Sequence, residues 1–426
     1  MNKTHLFLAL ACAFSLYGQS SEIAGEWAFA VERLGFTNYR RVTFEGRSEQ
    51  LTGRFGNGKL QGTLRGGEIE FQAESAGGNA PSTFTGVFER GEMSGDALLN
   101  GTVKAKWKAH RLPAPPSAPR RHDFEPTRFH RVFSGAIPPA LHIFAGDSVK
   151  TWSVDSGGRD AKLEPRSAGG NPLTGPFYVE GAMPGDTLVV RLTRVRLNRD
   201  QARSGNRITG NALDPYYLAR LKHPEKFDST WRLDREKGIA VLANPTDPLK
   251  NYTVPLRPML GCVGVAPPNN QAFDSGHLGP FGGNMDYNRM NEGTTLYLPV
   301  FQPGALLFLG DGHAAQGDGE LTGGALETSM DIEFTVDVIV GQSSSMPRAE
   351  NEEDLMAIGV GGSVTDALQS ATTGLAQWLE RDYKLNPAEV AVVLGTALRY
   401  DVGELVDPEI SLVARISKKA LASLPR

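Results

Sequence analysis

The chain has 426 residues, and its 44 Lys+Arg against 48 Asp+Glu leave a formal net charge of −4. So small a charge sets up no global field to recruit nucleic acid or an anionic membrane, which favours a small-molecule role. Hydrophobic residues at 40% and charged residues at 22% suit an ordinary soluble protein, and 49 glycines point to a loop-rich, strand-rich chain.

Residues 1–20 read as an export signal. Lys3 supplies the positive end, Leu6 to Phe14 the short apolar core, and Gly18 and Ser20 the small residues near a cleavage point. A spanning helix needs about 20 apolar residues, so an exported, periplasmic or extracellular protein without a membrane span is expected. Cys12, preceded by Ala9-Leu10-Ala11, raises a lipid-anchored alternative, which the shortness of the apolar run before it weakens. Cys262 is the other cysteine, so the mature chain would hold no internal disulfide.

Residues 21–111 alternate apolar and polar positions in short runs punctuated by glycine, as in "GKLQGTLRGGEIEFQAES". This pattern predicts a small antiparallel β sheet or barrel, with Trp27 and Trp107 as aromatic plugs of one core. A stability or surface-recognition module without chemistry is the expectation. The proline-rich stretch 112–124 reads as a semi-rigid linker, and 125–426 as a larger β-rich domain.

In that domain "NPLTGPFYVEGAMPGDTLVVRLTRVRL" reads as a hairpin turning at Pro184-Gly185-Asp186. The segment "DPYYLARLKHPEKF" fits either a short helix or an irregular lid. Met330 to Val340 alternates strictly, with Met330, Ile332, Phe334, Val336, Val338 and Val340 on one face, and predicts a half-buried strand. Beyond Asn351 the period changes to that of a helix, with Leu368, Thr372, Leu375 and Leu379 on one face. Asn386-Pro387 opens a second helix. These C-terminal helices are expected to cover one side of the sheets, giving a mostly β fold.

Chemistry concentrates in "GDGHAAQGDGE", Gly310 to Glu320, which follows a buried strand and the Pro303-Gly304 turn. Its glycines let a ligand approach the backbone closely. Three carboxylates within ten residues repel one another unless water or a cation intervenes, so spacing alone leaves a solvated acidic turn and a ligand site both open. The spacing is not that of an EF-hand loop. Cys262, among apolar neighbours in "MLGCVGVAP", reads as an inert buried thiol. No Gly-x-Ser-x-Gly elbow or phosphate-binding lysine loop is present, so nucleophilic serine chemistry lacks a centre.

The stretch from Phe281 to Glu327, "FGGNMDYNRMNEGTTLYLPVFQPGALLFLGDGHAAQGDGELTGGALE", resembles the acetamidase/formamidase family, as do "NPLTGPFYVEGAMPGDTL" and "PMLGCVGVAP". The resemblance runs from about Phe129 to the C-terminus and leaves the first domain out. It implies hydrolysis of a small carboxamide, acetamide or formamide or a somewhat bulkier amide, to a carboxylate and ammonia. It also implies a divalent metal, zinc or alternatively calcium, whose chemistry is to activate water and polarise the carbonyl. On this basis Asp155, Asp311 and His313 are metal-ligand candidates, and Glu180 or Glu327 the proton-transferring group. Asn284 and Gln316 are candidates to orient the amide or its oxyanion, with Asp286, Asp318 and Glu320 as further acidic candidates.

One position departs from the family pattern. Some members have histidine directly before Gly-Gly-Asn, where this chain has Phe281, with His277 four residues earlier. Phe281 cannot ligate a metal and is expected to line a pocket for a more apolar substrate. The expected partners are a small amide and a second copy of the chain in a dimer. The competing reading is an exported binding protein that keeps the fold without turnover.

Overall fold

The computed structural model describes residues 23–45, 49–75, 79–224 and 226–425, so the expected leader and Cys12 lie outside the described residues. The chain divides after Leu112 into two compact units. No helix among the described residues is long and apolar enough to cross a membrane.

In the first unit eight antiparallel strands follow one another: β1 (Gly25–Arg33), β2 (Phe36–Glu45), β3 (Gln50–Phe55), β4 (Gly58–Arg65), β5 (Glu68–Ala73), β6 (Ser82–Glu89), β7 (Glu92–Leu99) and β8 (Val103–Arg111). Strand β8 pairs back onto β1 and closes a barrel, which removes the exposed edges of an open sheet. Alternation decides what fills it: on β5, Ile69, Phe71 and Ala73 are buried and Glu68, Glu70 and Gln72 exposed. Inside, Phe29 stacks on Trp107 at 5.0 Å and Phe71 on Phe84 at 4.7 Å. A Cβ at Gly86 would come within 2.8 Å of the Trp107 ring, so glycine there makes room for the indole. Each fully buried aromatic contributes about 1.5–3 kcal/mol of burial. The barrel is therefore held by a core of its own, which contains both Trp27 and Trp107.

The second unit is built on an 11-stranded and a nine-stranded sheet among the described residues, with a small two-stranded one beside them. Two helices, Val364–Tyr383 and Pro387–Ala397, lie against the strands near the C-terminus. Ser363 caps the first by accepting from Asp366 N, and Asn386 opens the second in a capping box with Glu389. Leu375 and Leu379 are buried as expected, but Leu368 is 37% exposed, its place on the buried face taken by Ala367 and Ala371. Met330–Ile339 is a strand whose buried alternation holds through Val336.

The structure departs from two of the sequence expectations and bears on a stretch they left open. Leu173–Val179 and Thr187–Leu197 do not form a hairpin: the first pairs with Leu307–His313 and the second with Thr295–Pro299 and Met330–Ile339, in the other sheet. Leu173–Val179 is buried almost throughout, and a run without alternation carries no signal of its partner. Within the expected linker 112–124, Arg121–Asp123 pairs with Ser148–Ser153 and joins the nine-stranded sheet. In "DPYYLARLKHPEKF" only Pro215–Leu218 is helical, capped by Asp214, with its tyrosines exposed.

Candidate metal and catalytic centre

Leu307–His313 lies in the interior of the 11-stranded sheet, and all seven of its residues are buried. Register does the assembling. His313 faces Glu327 on one neighbour, Gly310 faces Cys262 on another, and Cys262 faces Asn284 beyond it. Segments far apart in sequence thereby deliver side chains to one place.

The orientation of His313 is fixed by Gln316. The Gln316 side-chain amide donates to the carbonyls of Asp286 and Gly403, which leaves its Oε1 to accept from His313 Nδ1 at 2.8 Å. An imidazole that donates through Nδ1 carries a lone pair on Nε2. Around that Nε2 stand Glu327 Oε1 at 3.2 Å, Asp311 Oδ1 at 3.4 Å and Glu320 Oε1 at 3.9 Å. Asp286 Oδ1 lies 3.6 Å from Nδ1 on the other side of the ring.

Most of these atoms have no hydrogen-bond partner. His313 Nε2, both oxygens of Asp286, Asp311 Oδ1, Glu327 Oε2 and Glu404 Oε2 are buried and unpaired. An unsatisfied buried polar group costs about 1–3 kcal/mol, more when charged, and a convergent set of them is stable only with a cation or with protons. Three overlapping donor sets have ligand atoms within 4.8 Å of one another: Asp286, His313 and Glu320; Asp311, His313 and Glu327; and Asp286, Glu404 and Asp407.

The titration of the cluster shows the same shortage of positive charge. Burial, reinforced by the Asp311 charge, pushes Asp286 well above the usual carboxylate range, and burial raises Asp311 too. Burial and the charge of Asp286 push Glu320 up to about 12; burial and Asp407 push Glu404 up to about 7. Burial alone would lower His313, but Glu327 and Asp311 outweigh it and hold the imidazole well above its ordinary value. Burial would likewise raise Glu327, yet His313 holds it low. One carboxylate takes the single internal cation, and the others are left to protons.

The backbone makes room for this crowding. A Cβ at Gly261 would sit 2.3 Å from Asp286 Oδ1 and 2.5 Å from Asp311 Oδ2, so a side chain there would occupy the space between the two acids. Asp286 and Asp311 both adopt left-handed φ, +40° and +58°. Such conformations cost energy outside glycine and collect where function requires them.

Comparison with known proteins decides what this assembly belongs to. Residues 280–357 match the Acetamidase/Formamidase family. That stretch of the second unit is similar to acetamidases and formamidases. An acetamidase of Mycolicibacterium smegmatis is 27% identical over 270 residues, 50% of this chain and 66% of that one. The chain thus spans just under two thirds of the length of the curated relatives it matches first, at 63% and 66%. The crystal structure of an acetamidase from Yersinia enterocolitica shares 27% identity at a TM-score of 0.60, covering 72% of this chain and 94% of its own. That of an acetamidase from Bacillus halodurans shares 25% at 0.59, covering 71% and 100%.

The family match contains Asp286, Asp311, His313, Glu320 and Glu327, which the structure brings together. It also contains Asn284 and Gln316, whose groups are engaged within the chain. Asn284 Nδ2 donates to Asp407 at 2.6 Å and its Oδ1 accepts from Asn171 and from the Cys262 thiol. Asn171 donates as well to Asp311 Oδ2 at 3.2 Å. Cys262 is fully buried, and burial with the nearby Asp311 charge keeps it a thiol.

The other expected site residues have partners of their own, two of them at the border of the cluster: Ser156, next to Asp155, bonds Glu327, and the His277 charge acts on Asp407. Asp155 is buried but spent: Oδ2 accepts from Arg199 at 2.6 Å and Oδ1 from Arg159 N at 2.8 Å. Glu180 Oε1 accepts from His142 Nδ1 at 2.7 Å. The register of Leu173 with Gly310 and Phe177 with Leu307 sets Glu180 at the far end of the strand pair, roughly 20 Å along the chain from the Asp311 end. Asp318 is exposed and accepts from Asn288, whereas Glu320, two residues on, is only 7% exposed and turned inward. His277 pairs with Glu409 at 3.1 Å. Phe281 stacks at 5.3 Å on Phe273 and packs on Phe133, in an aromatic layer of the core.

Sequence reasoning missed Glu404 and Asp407. They follow the second helix in "YDVGELVDPE", on and just after the strand Arg399–Glu404, and reach the cluster because Gly319 bridges to Glu404. The signal available was a pair of acids flanking Val406 at the end of an alternating run.

Proposed function

We propose that the second unit hydrolyses a small carboxamide to a carboxylate and ammonia, with water activated at a divalent cation. The observation that carries this reading is His313 Nε2, buried without a hydrogen-bond partner among the carboxylates of Asp311, Glu327 and Glu320; its proton balances those charges in the metal-free chain, and a cation that displaces the proton would take up the lone pair of the neutral ring. The donor set fits the group. Imidazole with two carboxylates, from His313, Asp311 and Glu327, suits zinc; the all-oxygen set of Asp286, Glu404 and Asp407 suits a harder cation such as calcium. A cation bound there would lower the pKa of water and polarise an amide carbonyl.

The chain's own residues do the rest. Gln316 holds the imidazole in the tautomer that aims Nε2 inward, a role whose loss costs about 10–100-fold in metal affinity or activity. Asn171 and Asn284 hold Asp311 and Asp407 in place. Asp407 and Glu327 are the cluster members that are not fully shielded, which puts carboxylates on the side from which a substrate would reach the cluster. Burial raises Asp407 above the usual range; with the cation on His313, Asp311 and Glu327, Asp407 is free of it and is the group that accepts a proton from water and returns it to the leaving nitrogen. Names of the relatives, acetamidase and formamidase, favour amides of one or two carbons. Export by the leader and assembly as a dimer are part of the same proposal.

Ammonia release from a panel of small amides, measured on protein stripped with a chelator and then reloaded with zinc or calcium, tests it. Activity should disappear on stripping and return on reloading. Metal-replete protein that releases no ammonia from any amide would replace hydrolysis with the binding reading.

A further inference from the structure

We propose that the open end of the barrel binds a small amphiphile with a carboxylate head and an apolar body, a site independent of the amide chemistry of the second unit. The two ends of the barrel are built differently. One is closed by Trp27, which packs edge-on against Phe88 at 5.9 Å and lies under the Arg111 guanidinium, 4.8 Å from the ring. At the other, where β1 turns into β2, β3 into β4, β5 into β6 and β7 into β8, a cavity of about 700 Å³ opens.

The floor of that cavity is aromatic. Phe84 is fully buried, and half-buried Phe55 lies on it at 4.9 Å. Its walls are small, with Val31, Ala73 and Ser82 at the inward positions, whereas one layer deeper Phe29, Phe71 and Trp107 fill the lumen. An eight-stranded barrel is just wide enough to be filled by side chains or to hold one small ligand, and this one does each at a different height.

Charge sets the chemistry of the head group. Alternation on β1 carries Phe29 and Val31 inward, and Arg33 continues that side. On β2 buried Val42 and Phe44 define the inward side, and Arg40 and Asn38 share it. All three line the cavity. Neither arginine has a carboxylate partner among the described residues: Arg40 donates to the Tyr39 carbonyl at 2.9 Å, and Arg33 has no ion pair there. Elsewhere on the barrel Arg41 pairs with Glu26 at 2.5 Å and Arg65 with Glu49 at 3.1 Å, so what distinguishes Arg33 and Arg40 is that both line the cavity. One acid, Glu74, lines the same cavity, and its Oε2 accepts from Lys59 N at 3.1 Å; the two guanidiniums outnumber it and form a receptor for a planar anion.

The lip supplies the apolar contact. Leu34 is 92% exposed with φ +54°, and Phe36 is 49% exposed. The first of these positions ordinarily takes asparagine or glycine; a leucine there bears backbone strain and buries nothing within the chain. A carboxylate held by Arg33 and Arg40 at the mouth would lay its body down over Phe55 and Phe84, and the part of a longer chain left outside would rest on Leu34 and Phe36.

Calorimetric titration of the full chain with decanoate and 4-phenylbutyrate, each against its neutral alcohol, tests the site. The acids should bind about tenfold or more tightly than the alcohols. The double variant R33Q/R40Q, at exposed positions where folding is undisturbed, should abolish that preference, and Leu34→Ser should weaken decanoate without restoring the alcohol. No binding, equal affinity for acid and alcohol, or a preference that survives in R33Q/R40Q overturns the proposal. So does sedimentation of the chain with phosphatidylcholine vesicles without binding of either monomeric acid, which would make the lip a membrane-docking surface.

Discussion

The lumen of the barrel and the cluster around His313 are both withdrawn from water and are built from opposite chemistry. In the lumen Phe29, Phe71, Phe84 and Trp107 satisfy one another by packing, and glycine appears where a ring needs the space. Around His313 the glycine at 261 makes room for two carboxylates that repel each other, and buried donors and acceptors are left without partners. The first interior is complete as a folded chain; the second lacks positive charge. That difference is why the second is the proposed working site: an unsatisfied buried cluster calls for something outside the chain to complete it.

The comparison can be broken most directly at its centre. Replacing His313 with alanine should lower amide hydrolysis by at least about a hundredfold and remove the bound cation, while near-ultraviolet circular dichroism of the barrel aromatics stays as in the wild type. A variant that keeps its metal would show that the imidazole is not a ligand.

Asp155→Asn should act on stability instead. It would strand the Arg199 guanidinium, which is buried with Asp155 as its only carboxylate contact among the described residues. Breaking one side of such a pair costs about 3–5 kcal/mol. Denaturant unfolding should show that loss in the second unit, with metal still bound by the folded fraction. Equal stability and lost metal would return Asp155 to the ligand set.

Asp311 and Asp155 show what the sequence made legible. The glycine-rich stretch, its place after a buried strand, and Asp311 and His313 as a pair were readable because they are local. Asp155 looked equally suitable, since nothing in its neighbourhood reveals that Arg199, 44 residues later, takes its charge. Asp318 and Glu320 were indistinguishable until Glu320, with φ +46°, turned inward and Asp318 outward. Glu404 and Asp407 required the C-terminal strand to return to the cluster, a long-range pairing that no local pattern carries. The barrel was legible for the converse reason: each strand pairs with its neighbour in sequence, so alternation and turns specify it.

The pH dependence separates the two interiors further. In metal-free protein Glu404 has its pKa raised from 4.5 to about 7, so its contribution is favourable below about pH 4.5 and is lost as pH rises through about 7. Asp286, Asp311 and Glu320 act in the same direction, and Glu327, held low, acts oppositely at more acid pH. The stripped second unit should therefore lose up to about 3 kcal/mol from Glu404 alone between pH 5 and 8, a loss that bound cation suppresses. Thermal unfolding followed across that range should show no matching slope for the barrel. A slope of the same size with and without metal would contradict the charge shortage.

The smallest effect is expected at Asp318. It is exposed and outside the cluster, so Asp318→Asn should change stability by about 0.5 kcal/mol or less and leave turnover and metal content within about twofold of wild type. A loss comparable to that of His313→Ala would mean that the outward acid of the glycine-rich stretch, and not the inward one, is the functional residue.

Elemental analysis of the purified full chain beside His313→Ala tests the central claim most directly. The structure predicts at least one tightly held divalent ion per chain in the wild type and its loss in the variant. A wild-type chain that stays metal-free after exposure to zinc and calcium, or a variant that holds the ion as fully as the wild type, would contradict it.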